Sequence, residues 1–303
     1  MSETRKLGRR RWLAAATLAG AASLRPSWAR AFEAMYDPDE GEDRPTLAPV
    51  IFAAHGAPDL VTSASRGPAY HAWGTHLPPC TGVVAMTPHF RSERPCLGAI
   101  GPGHALFRFP RRFLPDRAGL DYASPDNEAL AGRVRGLLDT QLSPPSETRA
   151  GMDHTTWMPL HHLIPDGRVP VLEIAMPFWS PRQLLELGQL LAPLRADGVM
   201  LMASGNLTHN LAMLGEPGEP APWAQRFDEW VKTKLTEGDI DALMDFRRAA
   251  PDAYLAHPDD GAHYGALAFA LGAAVAHGQS LRASFPIEGF SPGSISNRCV
   301  EFG

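Results

Sequence analysis

Short apolar stretches recur along the chain and end at glycine, proline or histidine. Such stretches lie at 48–54, 82–87, 169–176 and 198–203, and two more strand-like runs, 280–287 and 294–302, close the sequence. Their apolar positions are continuous rather than alternating, which is typical of strands that are covered on both faces. The pattern therefore predicts a buried sheet.

Segments with apolar residues at helical spacing separate these runs. Asp126 is a fair N-cap for one of them, and Ser180 followed by Pro181 is a good start signal for another. The predicted helices are 68–73, 127–140, 158–163, 180–194, 223–235, 240–248 and 261–276. Strands alternating with helices predict an α/β fold in one domain, with a mostly parallel central sheet and helices on both faces.

The N-terminal residues differ from this pattern. Arg9, Arg10 and Arg11 precede a mildly apolar run that ends near Ala29-Arg30-Ala31. A basic start, a short apolar core and a small-residue cleavage motif are typical of an export signal, and the arginine pair resembles a twin-arginine signal. We therefore expect residues 1–31 to engage the twin-arginine export machinery and the mature protein to be periplasmic or otherwise exported. An uncleaved basic arm is the alternative.

Residues 32–47 are acidic and are predicted to be a linker, which leaves 48–303 as the domain expected to carry the function. Removal of residues 1–31 would change the formal charge from −5 to −11. An acidic protein is a poor partner for nucleic acid, and after the N-terminus no apolar segment is long enough for stable membrane insertion. A small-molecule substrate is expected instead. Oligomeric state and any disulfide among Cys80, Cys96 and Cys299 are left open.

Twelve histidines are the most informative chemical feature of the sequence. His55, His89 and His209 each follow a predicted strand, while His154 and His263 lie at the starts of apolar helical segments. In an α/β sheet, ligands bind outside the carboxyl ends of the strands, so these histidines are expected to share a site there. No G-x-S-x-G, G-x-G-x-x-G or P-loop sequence competes with this interpretation. Imidazole binds zinc, iron, copper and nickel, so the residue type leaves the metal open.

Several motifs, taken in order, resemble the class III extradiol ring-cleavage dioxygenases, and most closely the 4,5-DOPA extradiol dioxygenase branch, which is related to the B subunit of protocatechuate 4,5-dioxygenase. The motifs are His55-Gly-Ala-Pro58, Thr87-Pro-His89-Phe90, Asp153-His154-Thr-Thr-Trp157, Ser204-Gly-Asn-Leu-Thr-His209-Asn210 and Ala262-His263-Tyr264.

The resemblance implies one divalent metal ion per chain, held by His55, His89 and His263. It places His209 beside the metal, as a further ligand or as a catalytic acid/base, and gives His154 a catalytic or substrate-binding role. The activity it implies is oxidoreductase chemistry on an aromatic compound: O2 is incorporated into a catechol-like substrate with Fe(II) as the metal.

Two alternatives stay open at this point. An all-histidine ligand set also suits Zn(II), which has no redox chemistry and would favour a hydrolase on the same scaffold. The second alternative is a non-catalytic exported protein that binds a metal or a phenol.

Overall fold

The structure of the protein is a computed structural model, which describes residues 47–138, 151–214, 219–291 and 293–303. The predicted export signal and all but the last residue of the acidic linker lie outside the described residues, so both stay predictions. None of the described helices has the length and apolar character needed to cross a membrane. Cys80, Cys96 and Cys299 are all free thiols.

The described strands are β1 Val50–Ala54, β2 Gly82–Ser92, β3 Pro102–Gly103, β4 Ser124–Asp126, β5 Val171–Pro177, β6 Val199–Gly205, β7 Ala283–Ser284, β8 Phe290–Ser291, β9 Ile295–Ser296 and β10 Val300–Phe302. Six of them form the sheet at the centre of the molecule, in the order β5-β2-β6-β1-β10-β7. Strands β5, β2, β6 and β1 are parallel to one another, and β10 and β7 extend the sheet in antiparallel fashion. The predicted mostly parallel sheet is confirmed.

Helices cover both faces of this sheet. They are α1 Arg66–His76, α2 Glu128–Leu138, α3 His154–Leu163, α4 Pro181–Leu191, α5 Pro222–Glu237, α6 Ile240–Met244, α7 Phe246–Ala249, α8 Ala253–Ala256 and α9 Ala262–Ala274. Val50 and Phe52 of β1 point into a core shared with α2, α4, α5 and α9. Ile51 and Ala53 point into the opposite core, against α1 and α3. Because successive strand residues face opposite sides, continuous burial in β1 follows from having helices on both sides.

Local capping decided where several helices begin. The predicted N-cap Ser180 forms a capping box, in which its side chain and that of Gln183 each accept a backbone N–H. Helix α3 begins four residues before the predicted 158, because the Asp153 carboxylate accepts the N–H of Thr155 and extends the helix to His154. Asp126 also accepts a backbone N–H, from Glu128, at 2.8 Å.

Other predicted elements also differ in extent from the observed ones. The predicted helix 240–248 is broken at Asp245 into α6 and α7. The predicted strand 280–287 is reduced to β7, since only this pair reaches the β10 edge and Pro286 cannot donate to a ladder. The predicted strand 294–302 divides into β9 and β10, which belong to different sheets.

Candidate metal centre

Three of the predicted histidines converge at the carboxyl edge of the parallel strands. His55, His89 and His263 each present a ring nitrogen, and the three nitrogens lie within 4.8 Å of one another. Their ring centroids are 5.3 to 5.4 Å apart. They come from three separate elements: the end of β1, the distal part of β2 and the first turn of α9.

His55 is oriented by a buried serine. Nδ1 of His55 lies 2.9 Å from Oγ of Ser204 in the adjacent strand β6, and that hydroxyl donates to the carbonyl of Thr155 at 2.6 Å. Since the hydroxyl proton is used on Thr155, Oγ accepts from an Nδ1–H of His55. The lone pair of His55 is therefore on Nε2, which is the atom left for a metal ion.

His89 is displaced from the sheet by an irregularity in β2. The register with β5 jumps from Thr87↔Ala175 to Arg91↔Met176, so that residues 88–90 have no partner on β5. Bulges of this kind bend a strand and re-aim its side chains. The result is that His89 leaves the buried ladder and turns its Nε2 toward Nε2 of His263, 3.3 Å away.

His263 enters the centre from the first turn of α9. Gly261 precedes that helix with φ of 77°, a conformation that favours glycine. The ring of His263 is buried, and among the described residues its Nδ1 has no hydrogen-bond partner. Its opposite nitrogen, Nε2, is the atom that faces His89.

The spacing of these nitrogens fits a metal ion. Two ligands of a tetrahedral ion with bonds of ~2.0–2.1 Å are about 3.3–3.4 Å apart, and the Nε2 atoms of His89 and His263 are separated by 3.3 Å. Burial, followed by the neighbouring imidazole of His89, holds the pKa of His55 well below its ordinary value. Burial and then His209 do the same to the pKa of His263. Both imidazoles are thus neutral near pH 7, the form that binds metals.

His154 lies at the edge of this group, next to a buried carboxylate. Its ring is 4.8 Å from that of His89 and 4.8 Å from that of Phe109, and it is buried. Oδ1 of Asp153 is 3.3 Å from Nδ1 of His154 and 3.8 Å from Nδ1 of His89. Burial would raise the pKa of the Asp153 carboxyl, but the contact with His154, the proximity of His89 and a hydrogen bond from Thr155 hold it below its ordinary value. Asp153 is therefore ionised and faces both imidazoles.

His209 lies on the other side of His263. The two rings are stacked, with centroids 3.4 Å apart and an interplanar angle of 11°. Nδ1 of His209 is 3.9 Å from Oδ2 of Asp259, a partly exposed carboxylate. Burial lowers the pKa of His209, although Asp259 opposes the shift. An imidazole lone pair lies in its ring plane, so the lone pairs of two stacked rings lie in nearly parallel planes and do not converge on one ion.

All five predicted site histidines thus lie in one region, in two arrangements. His55, His89 and His263 form the converging group, whereas His154 and His209 flank it. His257, by contrast, is fully buried in the core, where its Nε2 is 2.7 Å from the carbonyl oxygen of Leu207.

Sequence reasoning did not assign roles to Ser204, Asp153, Asp259 or Phe109. Ser204 and Asp153 lie inside the recognised motifs, which was the available signal. Phe109 and Asp259 are in irregular segments, and only the tertiary fold brings them to the histidines.

A buried α/β sheet with a cluster of histidines at its carboxyl edge defines a candidate metalloenzyme. Residues 122–292 match the family model described as the catalytic LigB subunit of aromatic ring-opening dioxygenase. This range is more than half of the chain, and it includes His154, His209 and His263. The protein belongs to the LigB family.

Individual relatives agree with this assignment. The chain is 30% identical over 268 residues to a 4,5-DOPA dioxygenase extradiol of Escherichia coli K12, covering 85% of this chain and 96% of the relative. It is 28% identical over 237 residues to the protein of the same name in Beta vulgaris, covering 74% of this chain and 86% of the relative. A crystal structure of an uncharacterized Escherichia coli K12 protein superimposes with a TM-score of 0.70 at 28% identity, covering 84% of this chain and 100% of the other.

Membership of this family supports a dioxygenase activity of the extradiol type in general. Enzymes of the family are metal-dependent, and the histidines described above are a set of donors that could hold the ion. Dioxygenase relatives also imply an aromatic substrate and O2 as the second substrate.

Proposed function

We propose that this protein is an extradiol dioxygenase that opens the ring of a catechol-type substrate with O2, with Fe(II) held by His55, His89 and His263. The observation that carries the proposal is the convergence of three imidazole nitrogens, flanked by His154 next to His89 and by His209 next to His263. The relatives named for 4,5-DOPA support a substituted catechol as the substrate class.

The metal ion and the side chains around it would then have separate roles. When bound, Fe(II) would supply the redox chemistry that the reaction of a closed-shell phenol with O2 requires. His209 is suited to accept a catechol proton, because burial lowers its pKa and keeps it neutral near pH 7. We propose this acid/base role for His209 rather than that of a fourth ligand, because its ring is stacked on His263.

His154 is suited to bind and orient the substrate. It is buried between Asp153 and the ring of Phe109, so its imidazole has a fixed position and little contact with water. From there it can hydrogen-bond a phenolic oxygen. Exclusion of water by Phe109 would strengthen that hydrogen bond, since polar interactions gain strength in a low dielectric.

The experiment that tests the proposal is oxygen uptake by protein loaded with Fe(II), measured over a panel of substituted catechols. We expect uptake of dioxygen together with a yellow ring-opened product, and the Zn(II)-loaded protein is the matched control. Absence of uptake across the panel, in protein shown to contain iron, would contradict the proposal.

A Zn(II) hydrolase is the second candidate, favoured by the all-histidine donor set and by the tetrahedral spacing of His89 and His263. Elemental analysis of protein purified without chelators separates the two candidates. Zinc in the purified protein, with hydrolysis unaffected by anaerobic conditions, would favour the hydrolase. A metal-bound protein that shows neither activity would instead be a binding protein.

We also propose that residues 1–31 direct export by the twin-arginine route. The basis is the run Arg9-Arg10-Arg11 followed by a mildly apolar segment. Replacement of these three arginines by lysine is expected to retain the protein in the cytoplasm. Fractionation of the host cell, with the unaltered chain as control, tests this, and periplasmic accumulation of the lysine variant would contradict it.

A further inference from the structure

A second feature of the carboxyl edge involves residues that neighbour His89 and His263 in the sequence. A cavity of about 290 Å³ opens between the ends of β2 and β5 and the start of α9. Arg91 and Asp260 supply its charged groups, and Phe178 and Trp179 supply aromatic walls. The lining also includes Ala262, the neighbour of His263, while Arg91 is two residues from His89. In sequence, the lining of the cavity is therefore next to two of the three proposed metal ligands.

Arg91 has a defined position in this cavity. Its guanidinium lies over the ring of Phe178, with 4.3 Å from Cζ to the ring centroid. One of its terminal nitrogens is paired with Oδ2 of Asp260. Oδ1 of the same carboxylate accepts the N–H of Ala262 at 3.1 Å. Asp260 is thus hydrogen-bonded to the first turn of α9. Its ion pair with Arg91 therefore holds the guanidinium in a defined position as well as balancing its charge.

The guanidinium retains unused donor capacity. An arginine has five N–H groups in a planar fork, and Nε of Arg91 is buried without a hydrogen-bond partner among the described residues. A buried donor of this kind is costly unless something accepts from it. A carboxylate is the group that best matches the fork, because it can accept two parallel hydrogen bonds.

We propose that Arg91 is a specificity-determining residue that selects catechols whose ring substituent carries a carboxylate. The proposal rests on the proposed function, since it takes the catechol oxygens to lie at His55, His89 and His263. In this arrangement the ring substituent extends into the cavity, where its carboxylate meets Arg91 and its carbon atoms pack against Phe178 and Trp179. The register irregularity of β2 places both His89 and Arg91 for these two tasks.

The test compares an acid with a neutral analogue of the same shape: 3,4-dihydroxyphenylacetate and 3,4-dihydroxyphenylacetamide. We expect kcat/KM of the Fe(II)-loaded protein to be about tenfold or more higher for the acid than for the amide, because one charge-assisted hydrogen bond contributes a difference of this size. In Arg91→Met this preference should fall to near unity. Arg91→Lys should retain part of it, because lysine keeps the charge but loses the fork.

Arg182→Met is the matched control, since Arg182 is an exposed arginine of α4 that pairs with Asp241. It should preserve the preference of the unaltered protein. Metal content and circular dichroism of each variant show whether the fold and the centre are intact.

Anaerobic equilibrium binding of the same two compounds separates this proposal from the proposed function. If neither compound supports oxygen uptake but the acid binds more tightly and Arg91→Met removes the difference, the proposed function fails and the subsite stands. If both compounds are turned over and Arg91→Met leaves their ratio unchanged, the subsite proposal is overturned.

Discussion

The two sides of the histidine cluster are held in different ways. On the side of His55 and His89, hydrogen bonds and a buried carboxylate orient the rings: Ser204 fixes the tautomer of His55, and ionised Asp153 faces His89. On the side of His263 and His209, the rings contact one another by stacking, and Asp259 is partly exposed at 3.9 Å from His209.

This difference separates two chemical tasks. Ligand imidazoles need one fixed nitrogen, and a hydrogen bond to the opposite nitrogen provides it. An acid/base needs a proton that can leave and return, and strong bonds to a fixed partner would oppose that. The first side thus supplies two oriented ligands, His55 and His89. The second side supplies the third ligand, His263, whose Nδ1 has no hydrogen-bond partner among the described residues and whose ring is held by stacking on His209. His209 itself retains the freedom to exchange a proton.

Loss of a ligand should have the largest effect. In His263→Ala two donors remain in the converging group, and we expect stoichiometric metal binding to be lost together with all turnover, since a mononuclear site with an open position needs about three protein ligands. Elemental analysis after dialysis measures this. His161→Ala, in a partly exposed histidine of α3, is the control. Full metal occupancy in His263→Ala would show that the ion lies elsewhere.

Loss of the acid/base should remove turnover and spare the metal. In His209→Ala we expect kcat to fall by about 10²- to 10⁴-fold, the usual contribution of a positioned general base, with metal content unchanged. The pH profile should also lose its acidic limb, because protonation of His209 would no longer matter. If His209→Ala loses the ion instead, His209 is a ligand and the proposed division of the cluster is wrong.

The histidines themselves were predictable, whereas their supports were not. His55, His89 and His209 follow apolar strands at positions that a local pattern identifies, and the strand ends of a parallel sheet must meet. The contact between His55 and Ser204, however, joins residues 149 positions apart, and it depends on β1 and β6 being neighbours. Phe109 and Asp259 come from segments without periodicity. No spacing rule relates them to the site.

The irregularity in β2 is a second feature that the sequence pattern does not predict. The apolar run 82–87 predicted a strand that ends before His89, but the strand resumes and pairs at Arg91 with Met176. A sequence pattern marks the loss of apolar continuity at Thr87-Pro88. It does not reveal that the backbone returns to the sheet, since that depends on the hydrogen bonds offered by β5.

Acid should also lower the stability of the folded protein through His257, a buried histidine two residues before Asp259. Burial lowers the pKa of His257 to about 4 from an ordinary value of 6.5. Between pH 6.5 and 4 the unfolded chain binds a proton that the folded chain does not, so the stabilisation present above pH 6.5 is lost as pH falls toward 4. The free energy of unfolding should drop by up to about 3 kcal/mol over this range.

The variant His257→Gln removes the titrating group and can retain an N–H donor to Leu207. Denaturant titrations at several pH values should therefore show a smaller loss of stability for this variant than for the unaltered chain. Equal slopes would indicate that His257 does not titrate as its burial implies.

The smallest expected effect concerns the support of a ligand rather than the ligand itself. In Asp153→Asn the carboxylate beside His89 and His154 becomes a neutral amide of nearly the same shape, and metal affinity should fall by about 10- to 100-fold, the usual effect of removing a carboxylate behind a metal-binding histidine. Competition with a chelator measures the affinity directly. Asp166→Asn, in an exposed carboxylate paired with Arg168, is the matched control. Because the amide keeps nearly the same shape, the metal affinity should fall without loss of the fold. A variant that binds metal as tightly as the unaltered chain would show that the orientation of His55 and His89 does not depend on this carboxylate.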